Sequence, residues 1–389
     1  MAEFITDHRF IVGNHTLSPF SAEMHYYRVA RDKWRACLES IRDAHIQVVS
    51  TLVPWNLHEY EENSFDFAGT TDERTDLVGF LELCAEMELY VILRPGPRIS
   101  GEWPNGGYPA YLFDHPELIA LDSHDQPARA YSCVSRREEY AVSYLNPRFV
   151  GSVEMYYREL IDAIQDYIYP QRPVFLIQLD NETSWSFRNG PFDVDYNPQV
   201  VRSLYPAFLE EKYGRIERMN EIYGTTYGLF SEVEPPRSCS VSEASDLPSH
   251  FDWLEFKENH LVDFHKTLRD IFEKMHVRTG FCVNLRGSND YVLPANWSQH
   301  EDAAGLVTLD WYWPELYYQG SRYFRYLRTC SKTGRIGEMM AGLWADEPDQ
   351  MQLYKPVTPE MQRYCILAAL AAGIKSANFY MFVERGHWY

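Results

Sequence analysis

Eight short runs rich in apolar and β-branched residues recur along the chain, alternating with longer stretches of helical periodicity. This alternation restricts the fold more than any other feature, because strand–helix repeats build parallel sheets. The runs are Leu17–Glu23, Ile46–Val53, Leu89–Arg94, Pro173–Leu179, Gly280–Leu285, Leu306–Trp311, Arg335–Met339 and Ser376–Phe382. Eight units are what a closed α/β barrel of the (β/α)8 (TIM) type needs. We therefore expect one such barrel over residues 1–389, with the chain ending just after strand eight.

The intervening segments support this. In "RDKWRACLESIRDAH" the residues Trp34, Leu38 and Ile41 fall on one helical face. "TDERTDLVGFLELCAEM" opens with a Thr/Asp cap and Glu73 and then aligns Leu77, Phe80, Leu81 and Cys84. Helices are also expected over 149–167, 253–276, 321–331 and 359–372. The stretch 197–250 is less regular and suggests a surface insertion after strand four. No helix is apparent beyond strand eight to cover it, which leaves room for C-terminal β-rich domains outside this chain.

Charge and cysteine usage narrow the function classes. A formal charge of −20 repels phosphate backbones and anionic lipid, so neither nucleic acid nor a membrane is an expected partner. Seven scattered cysteines without a CxxC pair read as reduced thiols. The N-terminus lacks a basic region leading into an apolar one, so the expected location is cytoplasmic. An aromatic share of 15%, with Trp and Tyr set beside carboxylates, suits sugars, whose C–H faces stack on rings while their hydroxyls bond polar edges.

In such barrels chemistry sits at the C-terminal ends of the strands. Strand four ends in "VFLIQLDNETSW", delivering Asp180, Asn181 and Glu182 after an apolar run, and strand seven carries Glu338 in "RIGEMMAGLW". Strands four and seven lie across the barrel mouth from each other. Two glutamates so placed can flank a glycosidic bond, and a retaining mechanism needs their carboxyl groups about 5–5.5 Å apart.

"SAEMHYYRVARDKW", "STLVPWNLHEYEENSFDFAG", "DLVGFLELCAEMELYVILRPGPRISGEWPNGGYPAYL" and "IQLDNE" together resemble glycoside hydrolase family 35, the β-galactosidases and exo-β-D-glucosaminidases. The resemblance is closest from Phe10 to Trp185 and continues in register around Glu338. It implies a retaining exo-β-glycosidase without a cofactor, acting on an oligosaccharide or glycoside. Glu182 would be the acid/base, Glu338 the nucleophile and Asn181 the partner of the C2 substituent. Glu102 would grip the C3 and C4 hydroxyls with Trp103 behind it. Tyr312 and Tyr380 are candidates for stacking or for bonding the nucleophile, as are Trp311 and Trp388. His58 and Glu59, with Trp55, are expected to support Glu182 or the sugar wall. The family also makes a homodimer an expectation.

Departures from the family divide the substrate reading. Leu52, Arg98 and Met340 stand where galactosidases carry aromatic residues, and "VPWNLHEYEE" leans to the glucosaminidases. Those enzymes place Asp before the acid/base, whereas this chain has neutral Asn181. Terminal β-D-galactosyl residues are the first expectation and glucosaminyl residues the alternative. A catalytically silent sugar-binding barrel is the reading from another class. A catalytic metal is not expected, since His25 stands alone in "EMHYY" and histidines bonded to carboxylates explain His25, His58 and Glu59 equally well.

Overall fold

The barrel strands are β1 (Phe20–Glu23), β2 (Val48–Leu52), β3 (Tyr90–Gly96), β4 (Val174–Thr183), β5 (Gly280–Leu285), β6 (Val307–Trp311), β7 (Arg335–Met340) and β8 (Ser376–Tyr380). They are seen in a computed structural model that describes residues 5–6, 9–100, 103–131, 138–185, 192–285, 296–312, 317–331, 334–341 and 358–383. Each pairs in parallel with its neighbours in chain order, and β8 closes on β1. The eight expected runs are thus the eight staves of a closed barrel.

Both faces of these strands are buried, which is why they read as continuous apolar runs rather than as alternating ones. Val49, Leu93 and Ile177 pack outward with Leu38, Phe80, Leu160 and Phe264 from the helices. Val48, Tyr90, Ile92, Leu176 and Cys282 pack with Phe10, Val12 and Leu17. The latter three come from an antiparallel meander of Ile5–Thr6, Arg9–Val12 and His15–Leu17. This corrects the first expected strand: Leu17 ends the meander, Ser18 and Pro19 turn the chain, and β1 begins at Phe20. Proline has no N–H for a barrel ladder, so the break falls there.

The helices introduced by the periodicity are present with shifted ends. Helix α1 (Trp34–Asp43) buries Trp34, Leu38 and Ile41. Helix α2 (Leu77–Glu86) starts later than its first cap signal, because Asp72 caps a separate turn and Asp76 caps the helix proper by accepting from Gly79 N–H. Helix α3 (Pro147–Ile164) follows Asn146, whose side chain accepts from Arg148 N–H.

The irregular-looking stretch after β4 is mostly helical. Helices α4 (Tyr205–Tyr213) and α5 (Ile216–Tyr223) pack on the first turns of α6 (Leu247–Lys274). Tyr196, Tyr205, Leu209, Met219, Trp253 and Phe256 form their shared apolar cluster. Short helices and intervening Gly and Pro blur the periodicity there. The barrel is completed by α7 (Trp297–Ala304), α8 (Tyr317–Cys330) and α9 (Pro359–Ala371). No helix among the described residues is long and apolar enough to cross a membrane.

One glycine is dictated by packing inside the barrel. A Cβ on Gly337 would lie 2.4 Å from both Asn284 Oδ1 and Thr308 Oγ1, far inside contact distance. Gly337→Ala is therefore expected to lower stability by about 1–3 kcal/mol through overpacking, read as a lower urea midpoint. A wild-type midpoint would show that β5 and β6 can yield at this level.

Candidate active site

Two residues at the end of β4 leave the strand conformation. Asp180 and Glu182 have φ of 58° and 49°, in the left-handed region that non-glycine residues seldom occupy. The pairing with β5 shifts register between Leu179 and Thr183 at the same place. Such a kink needs holding, and Asp180 supplies it: one carboxylate oxygen accepts from Arg98 N–H at 2.8 Å and the other from Thr183 hydroxyl at 2.8 Å. Burial pushes the Asp180 carboxyl up to about 6 against those donors. Asp180 is thus a structural clasp, and the half-buried Glu182 is left at the barrel mouth.

Arg94, at the end of β3, is the centre of the mouth and only 1% exposed. Its Nη1 lies 2.9 Å from Glu23 Oε2, an ion pair off the hydrogen-bond direction. Its Nη2 donates to Asn181 Oδ1 at 2.7 Å and to Glu338 Oε1 in a short contact. Burial alone would raise the Glu23 carboxyl, yet Arg94 and His25 hold it well below the usual carboxylate range. Glu338 accepts a second donor, the Tyr312 hydroxyl, on Oε2. The expected nucleophile is therefore gripped on both oxygens, from β3 and from the residue following β6.

Asn181 is fixed just as firmly. Its Oδ1 accepts from Arg94, from Gln178 at 2.9 Å and from Asn284 at 3.2 Å, while its Nδ2 donates to Ile99 carbonyl at 2.9 Å. Asn284 on β5 also donates to Asp310 Oδ1 on β6 at 2.7 Å and accepts from the Thr308 hydroxyl at 2.8 Å.

The other expected site residues divide. Glu102 and Trp388 lie outside the described residues. Trp103 is buried: its indole N–H donates to Asn56 Oδ1 at 2.7 Å, and its ring packs edge-on to Tyr27 at 4.9 Å with Arg28 over it at 5.2 Å. Tyr380 is buried against Tyr312 and His25, at ring distances of 6.1 and 5.8 Å. Trp311 packs on Phe324 as core.

His58, Glu59 and Trp55 do not support Glu182 directly. His58 bonds Tyr26 hydroxyl and Asp66 carbonyl, while Glu59 accepts from Trp55 indole, Asn63 N–H and Tyr111 hydroxyl. They lock the loop after β2 on which Asn56 meets Trp103. Their polar groups tie that loop to Tyr26 and Tyr111. His25 likewise bonds Glu23 and Arg28. Among the described residues no group of three His, Cys, Asp or Glu side chains could hold a metal ion.

Sequence reasoning passed over Arg94 as a partner of the nucleophile, and Glu23, Asn284 and Asp310 altogether. Their signal was available: each is the one charged or amide residue near the C-terminal end of a largely apolar run, in "FSAE", "VILRPG", "FCVNL" and "VTLDW".

Comparison with known proteins follows the same lines. Residues 9–131 match the model of the glycosyl hydrolases family 35. An exo-β-D-glucosaminidase of Pyrococcus horikoshii is 30% identical across 97% of this chain and 48% of its own length. A β-1,2-glucosyltransferase of Ignavibacterium album is 28% identical across 94% of this chain and 51% of its own. The chain spans about half the length of the curated relatives it matches over most of its extent. Among solved structures, a β-galactosidase from Marinomonas ef1 superposes with a TM-score of 0.71 at 18% identity, covering 93% of this chain and 53% of that one, which shows the shared barrel fold.

The electrostatics of Glu338 give a direct test. Burial, joined by the charge of Glu182, pushes its carboxyl up to about 7, while Arg94 and the Tyr312 hydroxyl pull it down. A reaction that needs Glu338 ionised loses rate as pH falls through that value. Tyr312→Phe removes one stabilising donor, so the acid limb of kcat/KM should move up by about one pH unit. An acid limb left unmoved, or moved down, would contradict the grip.

Proposed function

We propose, from the kinship of this chain with the glycosyl hydrolases of family 35, that it is a retaining exo-β-glycosidase using Glu338 and Glu182. The observation that carries this reading is the Glu338 carboxylate, held on both oxygens by Arg94 and Tyr312 and in the field of Glu182. A nucleophile must be aimed before attack, and two donors, one on β3 and one just past β6, aim it without further motion.

In the first step a Glu338 oxygen attacks C1 of the terminal sugar while Glu182 delivers its proton to the departing glycosidic oxygen. The bond between C1 and that oxygen breaks, and a glycosyl ester forms on Glu338. In the second step Glu182, now ionised, takes a proton from water as that water attacks C1, and Glu338 leaves as carboxylate. Both inversions occur at C1, so the β configuration is retained. Asn181 faces the C2 substituent with the one amide hydrogen left after its bond to Ile99.

Terminal galactosyl and glucosaminyl residues are the two sugars in question. A second reading, transfer of the glycosyl group to a sugar rather than to water, is favoured by the glucosyltransferase relative, and it uses the same ester. We take residues 1–389 to be the catalytic barrel unit, with the 197–250 helices built onto it after β4. The unpaired thiols of Cys37, Cys84, Cys239 and Cys282 favour a cytoplasmic setting.

A panel of nitrophenyl β-glycosides (galactoside, glucosaminide, glucoside, fucoside) tests the proposal. Wild type should release nitrophenol from at least one. Glu338→Ala should lose about 1,000-fold or more in kcat and regain turnover with azide as an α-glycosyl azide. A variant that retains wild-type turnover would remove Glu338 from this role, and analysis of products with added sugar acceptors separates hydrolysis from transfer.

A further inference from the structure

Asp310 stands in the mouth without a task in the mechanism above. It is 5% exposed, and among the described residues its Oδ2 has no hydrogen-bond partner, although Oδ1 accepts from Asn284. A buried carboxylate oxygen left unsatisfied is costly, and such atoms mark places that a ligand completes. The location of this one is set by Asn284, because a single amide nitrogen donates to both Asn181 Oδ1 and Asp310 Oδ1. The two side chains are therefore neighbours across one amide nitrogen.

Asn181 cannot by itself hold a cationic substituent. Its oxygen already takes three donors, from Arg94, Gln178 and Asn284, so only an N–H remains to face the sugar. An ammonium group brings donors alone and needs an acceptor. Asp310 Oδ2 is such an acceptor. Asp310 also lies in the electrostatic field of Arg94, Glu338 and Glu182, the groups that line this end of the barrel among the described residues.

We propose that Asp310 is the specificity-determining residue for the C2 position, pairing with a 2-ammonium group so that the site takes β-D-glucosaminides ahead of the matching 2-hydroxy sugars. The inference rests on the glycosidase reading for the orientation of the sugar. It also moves the recognition of the amine from the position before the acid/base to β6, and neutral Asn181 is then compatible with an amino sugar. Burial, with the charges of Glu338 and Glu182, raises the Asp310 carboxyl well above the ordinary range, a shift towards the protonated form. An ammonium beside it favours the ionised form, and a proton leaves when the amino sugar binds.

The test compares 4-nitrophenyl β-D-glucosaminide with 4-nitrophenyl β-D-glucoside on wild type and Asp310→Asn. Wild type should prefer the glucosaminide by about 10-fold or more in kcat/KM, and the variant should lower that ratio by about 100-fold, the scale of losing a buried charge partner. A ratio unchanged by the substitution overturns the proposal. Should the variant fail to fold, calorimetry on wild type in buffers of different ionisation enthalpy reads the same claim. Binding of D-glucosamine at mildly acid pH should release about one proton more than binding of D-glucose, as expected when one carboxyl ionises. Equal proton release, or tighter binding of glucose, overturns it. Because calorimetry needs no turnover, inactivity on every glycoside would sink the glycosidase reading and still leave the Asp310 pairing decided by binding.

Discussion

A buried guanidinium organises the mouth of this barrel. Arg94 on β3 reaches Glu23 on β1, Asn181 on β4 and Glu338 on β7, so one side chain ties together strands from opposite sides of the closed sheet. Removing its charge from water costs several kcal/mol, and only close anionic partners offset that cost. Glu23 is the permanent partner, sealed below the mouth with His25 and Asn378. Glu338 is the working partner in the proposed reaction, its charge consumed and restored as a glycosyl ester forms and breaks. In that proposed cycle the Arg94–Glu23 pair would keep the guanidinium compensated while Glu338 is esterified.

The remaining parts keep that centre rigid. Left-handed backbone at Asp180 and Glu182 turns the end of β4 so that Asn181 faces Arg94, and Asp180 fastens the turn to Arg98 and Thr183. Gly337 lets β7 approach the Asn284 and Thr308 side chains closely, which places Glu338 level with the amide network of β5 and β6. The proposed reaction depends on preorganised charge, and Glu23, Arg94, Asn181 and Glu338 all lie near the C-terminal ends of barrel strands.

Much of this was legible in the sequence. The eight strands could be read from β-branched runs because a parallel barrel buries both strand faces, and Glu182 and Glu338 stood out as carboxylates at strand ends that a closed barrel brings opposite. What could not be read is convergence in space. Glu23 and Arg94 are separated by two strands' worth of chain, and nothing local tells that they form a pair. His58 and Glu59 show the converse: their position after β2 suggested support of the acid/base or the sugar wall, whereas their bonds go to Tyr26, Trp55, Asn63, Asp66 and Tyr111. The helices of 197–250 were obscured because each is short, and their apolar face is completed only by the start of α6.

The claim on which the rest turns is that Arg94 and Tyr312 aim Glu338 as the nucleophile. Its most direct measurement uses Glu182→Ala with a dinitrophenyl β-glycoside, a leaving group that departs without acid assistance and leaves the second step stalled. Rapid quenching followed by intact-mass and peptide mapping should find one glycosyl residue added, on the peptide that contains Glu338. Turnover with no covalent adduct, or an adduct on another residue, would contradict the account.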